Sequence, residues 1–249
     1  MAGPRSRLPR GGVCRHLVLG ALLVLLAGCG ALLPPEAATE QGREVRGLYG
    51  LVLALAAIVF VGVEGFIVYA VLRYRRRRGD DVLPPQHHGN ARVEVVWTAI
   101  PAAIVVVLFA LSTQTLAKIE TRAADPLTVE VEAFQWQWTF RYPNGYATTG
   151  TIDNPAEMVV PVGRPIRLVM WSVDVIHSFY VPAFLVKRDT LPLTEGQAPN
   201  ELELTITEPG VYRGQCAEFC GLLHSKMTLT VRAVPEAEWL AWAAQVAPP

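Results

Sequence analysis

Two long apolar runs dominate the first half of this chain, and short alternating segments take over in the second. Leu48 to Leu72 is uncharged except for Glu64, and Val93 to Leu116 carries few polar residues before Ser112. Each exceeds the ~20 residues needed to cross a hydrocarbon core, so each predicts a membrane-spanning helix. Beyond Asp125-Pro126 the apolar positions come in short stretches: Leu127 to Ala133, Glu157 to Val160, Pro165 to Trp171, Glu201 to Ile206 and Met227 to Val231. Short β-rich segments parted by Pro and Gly turns predict a β-sandwich or barrel. The last stretch, 235–249, opens on Pro235-Glu236-Ala237-Glu238 and predicts a short helix followed by a tail.

Residues 1–28 have the form of an export signal. Arg5, Arg7, Arg10 and Arg15 precede the apolar run Leu17 to Leu26, which ends in Leu26-Ala27-Gly28-Cys29. That ending resembles a lipoprotein box, with cleavage before Cys29 and lipid on its thiol; ordinary cleavage beside an incidental cysteine is the alternative. A spacer, 29–47, leads to a hairpin over 48–118 with helices at about 48–72 and 93–116. Between them stands Arg73-Tyr74-Arg75-Arg76-Arg77-Arg78, a cluster that marks the cytoplasmic side because basic loops resist translocation. Its place against a membrane span speaks against a nucleic-acid patch. The β-region, 119–234, therefore lies on the outer face of a bacterial cytoplasmic membrane. Glu64 within the first span is costly as a bare charge, which predicts a neutral carboxyl or one facing another protein's helices.

Composition adds little until the cysteines are placed. The 249 residues hold 22 basic and 22 acidic side chains, a balance that offers nucleic acid no basic surface. Of four cysteines, Cys14 and Cys29 fall in the leader, leaving Cys216 and Cys220 in the outer region. An exported pair can form a disulfide. Its neighbours argue otherwise: Cys216-Ala217-Glu218-Phe219-Cys220-Gly221-Leu222-Leu223-His224-Ser225-Lys226-Met227 packs two thiols, an imidazole and a thioether into one loop. Soft ligands of these types select copper, and such a set in a β-barrel is typical of electron-transfer copper. The second thiol lets two sulfurs bridge two metal ions if another imidazole arrives. Outside this loop His177 is the only histidine of the outer region, since His87 and His88 lie on the cytoplasmic loop.

The pattern C-x-E-x-C-x3-H-x2-M, with His177, resembles the binuclear copper (CuA) site of cytochrome c oxidase subunit II, over about Leu48 to Val234. The resemblance implies a two-helix transmembrane hairpin plus an all-β cupredoxin-like barrel. It implies copper ligation by His177, Cys216, Cys220, His224, Met227 and the backbone carbonyl of Glu218, whose side chain would help hold a shared Mg or Mn ion. Electrons would come from cytochrome c or a similar donor and pass to the haem-copper subunit I, where oxygen is reduced to water and protons are translocated; a subunit III is a further expected partner. Trp136, in Gln135-Trp136-Gln137-Trp138, matches the tryptophan that receives electrons, while the bare pattern predicts two indoles on one strand face packed in a core or interface. Phe134, Gln137 and Arg141 depart from the usual form, and Asp153 and Asp174 match acidic positions. Glu94, in Val93-Glu94-Val95-Val96-Trp97-Thr98-Ala99-Ile100-Pro101, matches the mouth of a proton pathway, or is simply a solvated carboxylate at a membrane edge. Two rivals are a quinol oxidase subunit, which lacks the copper ligands, and a copper carrier, in which the Cys pair follows the first strand of a thioredoxin-like domain.

Overall fold

The computed structural model describes residues 33–76, 79, 85–86 and 88–248. The signal at 1–28, Cys29, Arg77, Arg78 and His87 lie outside the described residues. Among the described residues two helices, α1 (Glu40–Tyr74) and α2 (Ala91–Ile119), are long and apolar enough to cross a membrane. Both outrun the apolar patterns that predict them. At 1.5 Å per residue α1 is about 52 Å long, well beyond a hydrocarbon core of about 30 Å. Its extra turns begin at the N-cap Thr39, whose side chain accepts from Gly42 N–H, and they carry polar residues that pair with the β-region, as Arg43 does with Thr207 at 2.9 Å. Lys118 near the end of α2 bonds Glu44 of α1 at 2.8 Å. The mid-helix faces leave Ile58, Phe60, Phe66 and Phe109 exposed, as lipid or neighbouring helices require. Asn90 caps α2 through Arg92 N–H, and the Glu94 carboxylate returns to the Asn90 N–H at 3.0 Å.

The remainder forms two five-stranded sheets. The strands are β1 (Leu127–Phe134), β2 (Gln137–Arg141), β3 (Ala147–Thr149), β4 (Ala156–Pro161), β5 (Pro165–Ser172), β6 (His177–Val181), β7 (Val186–Thr190), β8 (Asn200–Thr205), β9 (Gly210–Cys216) and β10 (Thr228–Val234). One sheet runs β3-β2-β1-β5-β8 and the other β4-β10-β9-β6-β7. Each is mixed, with β1 parallel to β5 and β4 parallel to β10. Inward residues alternate along β1 and β5: Val129, Val131 and Ala133 of β1 and Ile166, Leu168 and Met170 of β5 face the core with Met158, Val160, Phe179 and Leu229. A short helix, α3 (Glu236–Val246), covers one end with Trp239 buried and Trp242 against Tyr142 and Tyr146.

The β-region holds α1 through its own backbone. Thr39 forms a bridge with Ile206, Ala38 N–H donates to Ala183 O, and Thr207 N–H donates to Ala38 O. Gly42 lets the helix come this close, since a Cβ there would stand 2.6 Å from the Phe184 carbonyl oxygen.

The expectation of two indoles on one strand face is corrected. Gln135 and Trp136 form the turn between β1 and β2, so alternation breaks between the tryptophans. Trp138 is fully buried within β2, whereas Trp136 is only partly buried at the rim.

Candidate metal centre

Cys216 ends β9 and Met227 immediately precedes β10, so the antiparallel β9–β10 pair closes the intervening loop as a hairpin would. Cys216 N–H donates to Met227 O at 2.9 Å, and Ala217 N–H donates to Ser178 O at 3.0 Å. That second bond and the pairing of Phe179 with Cys216 bring in β6, which starts at His177. At Gly214 a Cβ would lie 2.7 Å from Leu229, so the strand before the loop packs only without a side chain there. His177, Cys216, Cys220 and Met227 are buried; His224, in a short turn over His224–Lys226, is half-buried.

The donor atoms converge. His177, Cys216 and Cys220 offer one ligand atom each, all within 4.8 Å of one another. His177 Nδ1 lies 3.8 Å from Cys216 Sγ, and His224 Nδ1 lies 3.4 Å from Cys220 Sγ. The two sulfurs stand 3.8 Å apart, Met227 Sδ is 3.8 Å from Cys220 Sγ, and the Glu218 carbonyl oxygen is 3.2 Å from Cys216 Sγ. A disulfide would need about 2.05 Å. By contrast, two sulfurs bound at about 2.3 Å to one tetrahedral ion stand about 3.8 Å apart, and an imidazole nitrogen on that ion lies about 3.5 Å from each sulfur. The spacing therefore fits sulfurs that share a metal. Six donors, with the imidazoles set against different sulfurs, exceed what one tetrahedral ion takes and suit a pair.

The protons are distributed unevenly. Burial raises the Cys216 thiol, but hydrogen bonds from His177 and the backbone at Glu218 and Ser178 more than offset it, bringing the pKa down to about 7. Burial and then the Cys216 charge drive Cys220 up to about 12. His177 is pushed down by burial yet held above its ordinary value by its bonds to Cys216 and Asp174.

The surroundings fix the ligands, and part of them was not visible in the sequence. Asp174 Oδ1 accepts from His177 Nε2 at 2.9 Å, which leaves Nδ1 free to bind a metal, and Oδ2 accepts from Gln135 N–H at 2.7 Å. Trp138 and Phe219 make edge contacts with His177 and His224. Trp136 Nε1 donates to the Cys220 carbonyl at 3.1 Å, joining that residue to the loop. The Glu218 carboxylate meets Lys187 Nζ at 3.1 Å, and Lys187 also reaches Asp189 at 3.0 Å. Glu94 stands far from this cluster in sequence and structure, at the start of α2.

A two-sheet β-domain with buried thiol and imidazole donors at its rim, carried on a membrane hairpin, defines a membrane-anchored copper-binding protein of cupredoxin type. Residues 29–115 match the family model for the transmembrane domain of cytochrome C oxidase subunit II, and residues 146–234 match that for its periplasmic domain. Cytochrome c oxidase subunit 2 of Alkalihalophilus pseudofirmus is 31% identical, covering 92% of this chain and 67% of the relative. A probable cytochrome c oxidase subunit 2 of Streptomyces avermitilis is also 31% identical, covering 93% and 85%. The crystal structure of the periplasmic domain of subunit II of cytochrome oxidase from Bradyrhizobium japonicum is 33% identical with a TM-score of 0.45, covering 51% of this chain and 95% of that one. The chain belongs to the cytochrome c oxidase subunit II family, membrane-anchored with its C-terminal domain on the outer side.

Proposed function

We propose that this chain is the electron-accepting subunit of a haem-copper cytochrome c oxidase, with a binuclear copper centre held by His177, Cys216, Cys220, His224, Met227 and the carbonyl of Glu218. The observation that carries this is the 3.8 Å between Cys216 Sγ and Cys220 Sγ with an imidazole nitrogen against each. Copper bound there supplies reversible one-electron exchange, shared between two ions so that little rearranges on reduction. The protein's part is to hold the donors in a buried, hydrogen-bonded shell and keep water out. The complete donor set disfavours the quinol oxidase reading, and its position between β9 and β10 of a two-sheet domain disfavours the thioredoxin-like carrier.

Trp136 is the receiving residue, because its indole is partly exposed and hydrogen-bonded at 3.1 Å to the carbonyl of Cys220. The donor, cytochrome c or a similar carrier, meets a weakly charged rim. Val173, Ile176, Phe219 and Leu222 are exposed around the centre, and Arg141 is neutralised by Glu132 at 3.2 Å. Electrons then pass to a catalytic subunit I, with a subunit III also packed on the hairpin, and oxygen reduction and proton translocation take place there. Glu94 serves the opening of a proton pathway on the cytoplasmic side, where its carboxylate is exposed and anchored by the Asn90 N–H. The Glu218 carboxylate, paired with Lys187 in this chain, contributes to a Mg or Mn site shared with subunit I. Cys29 carries lipid.

The test is to purify the full chain in detergent, load it with copper, and record metal content and the electron paramagnetic resonance spectrum. Two coppers per chain sharing one unpaired electron are expected. A single-copper signal, or a Cys216–Cys220 disulfide that binds none, overturns the proposal.

A further inference from the structure

Cys220 presents its carbonyl to two side chains at once. Gln135 Nε2 donates to it at 2.8 Å and Trp136 Nε1 at 3.1 Å. The approach depends on Gly221, whose φ is +110° and whose missing Cβ would stand 3.2 Å from Gln135 Nε2 and 3.5 Å from Trp136 Nε1. The backbone of Gln135 reaches the other half of the centre: its N–H donates at 2.7 Å to Asp174, which accepts from His177. One residue at the β1–β2 turn therefore touches both the Cys loop and the scaffold of the distant histidine. Gln135 lies on the surface, where a glutamine amide would ordinarily be spent on water, yet its amide nitrogen is turned inward onto a ligand's backbone.

We infer that Gln135 is a positioning residue of the metal centre, which sets the redox balance of bound copper by aiming its side-chain N–H at the Cys220 carbonyl; this rests on the copper reading of the loop. The electrostatic sense follows from the dipole. An N–H presents its positive end, and a positive end held beside the centre favours the reduced, less positive form. Without it the oxidised form gains and the reduction potential falls. The bond is a single neutral one, so the oxidised-to-reduced ratio at fixed applied potential should rise by no more than about tenfold, equivalent to about 59 mV for one electron.

Two variants of the full chain, Gln135→Leu and Gln135→Asn, test this. Both keep the backbone N–H on Asp174. The first removes the amide, and the second shortens it by one methylene so that it falls short of the carbonyl. With copper content equal to wild type, both should show a lower potential in a spectroscopic redox titration and an altered copper hyperfine splitting. Should the Leu variant fail to fold, the Asn variant, which leaves polarity unchanged, decides. An unchanged potential and splitting in the variants, beside a wild-type chain that does show the copper pair, overturns the role of Gln135 alone. A wild-type chain with no copper pair overturns the copper reading and this inference with it.

Discussion

Asp174→Asn removes a charge while nearly keeping a shape, at the point where three segments are tied. Its Oδ1 accepts from His177 Nε2 at 2.9 Å and from Val175 N–H at 2.6 Å, and its Oδ2 accepts from Gln135 N–H at 2.7 Å. A carboxylate accepts on both oxygens, whereas an amide has one oxygen and one NH2 group. The substituted amide would thus meet either His177 N–H or Gln135 N–H donor to donor. If the oxygen stays with Gln135, the histidine loses the partner that fixes its tautomer and ring. Loss of a partner behind a metal-bound histidine costs about 10- to 100-fold in metal affinity, which is about 1.4 to 2.7 kcal/mol. The side chain is 29% exposed, so screening by water favours the lower end. Chelator competition on the solubilised chain measures the affinity directly. An Asp174→Asn chain that binds copper as tightly as wild type would refute the reasoning.

The same substitution has a pH signature with a definite sign. Burial raises the Asp174 pKa, but the bonds from Gln135, His177 and Val175 more than offset that and hold it below its ordinary value near 3.8. A depressed carboxyl stabilises the fold above its unfolded pKa, and that contribution is lost as pH falls through the folded one. The stability gap between wild type and Asp174→Asn should be constant near neutrality and close in acid, below about pH 4.

Trp136→Phe should slow electron input from a donor while leaving copper content intact, because an aromatic ring remains and only the bond to the Cys220 carbonyl goes; unchanged stopped-flow kinetics would reject the role. Copper loading of the metal-free chain should release at least one proton fewer at about pH 8 than at about pH 6, since the Cys216 thiol at about 7 is already ionised at the higher pH while at the lower one His177, held above its ordinary value, must also give up its proton; equal release counts against these shifts. Glu203 is buried, accepts from Ala123 N–H at 2.5 Å and meets Arg167 Nε at 3.0 Å, so Glu203→Gln should cost about 1 to 3 kcal/mol, seen as a lower unfolding temperature; no shift would mean the pair adds nothing. Glu94→Gln should slow proton uptake in the assembled oxidase, and normal turnover would leave Glu94 as only the partner of Asn90.

The metal loop was legible because most of its donors sit in one short run with fixed spacing, and the histidine count left His177 as the remaining imidazole. The spans were legible because membrane hydrocarbon imposes a length. What the sequence hid is non-local. The β1–β2 turn is Gln135-Trp136, with neither Gly, Asn, Asp nor Pro to announce it, so alternation reads straight through. Along β9 the outward residues Val211, Arg213 and Gln215 outweigh the buried ones, and no apolar stripe marks the strand that delivers Cys216. The first turns of α1 are polar because hydrogen bonds to the β-region, from Arg43 to Thr207 and from Thr205 N–H to Gln41, and the Lys118–Glu44 ion pair use them. Asp174 reads as an acidic surface position until β6 and the turn are brought together around it.

The bonds of Ala38 and Thr39 to residues 183, 184, 206 and 207 have a mechanical meaning. A domain hung on a slack tether would rock against the bilayer, and its distance to any acceptor in the membrane would wander. Electron tunnelling weakens steeply with distance, so a rocking mount would make each transfer wait for a rare close approach. Here the chain enters α1 directly from the sheet edge, the same Thr39 bridging to Ile206 and capping the helix, so no slack segment separates the domain from the helix that carries it.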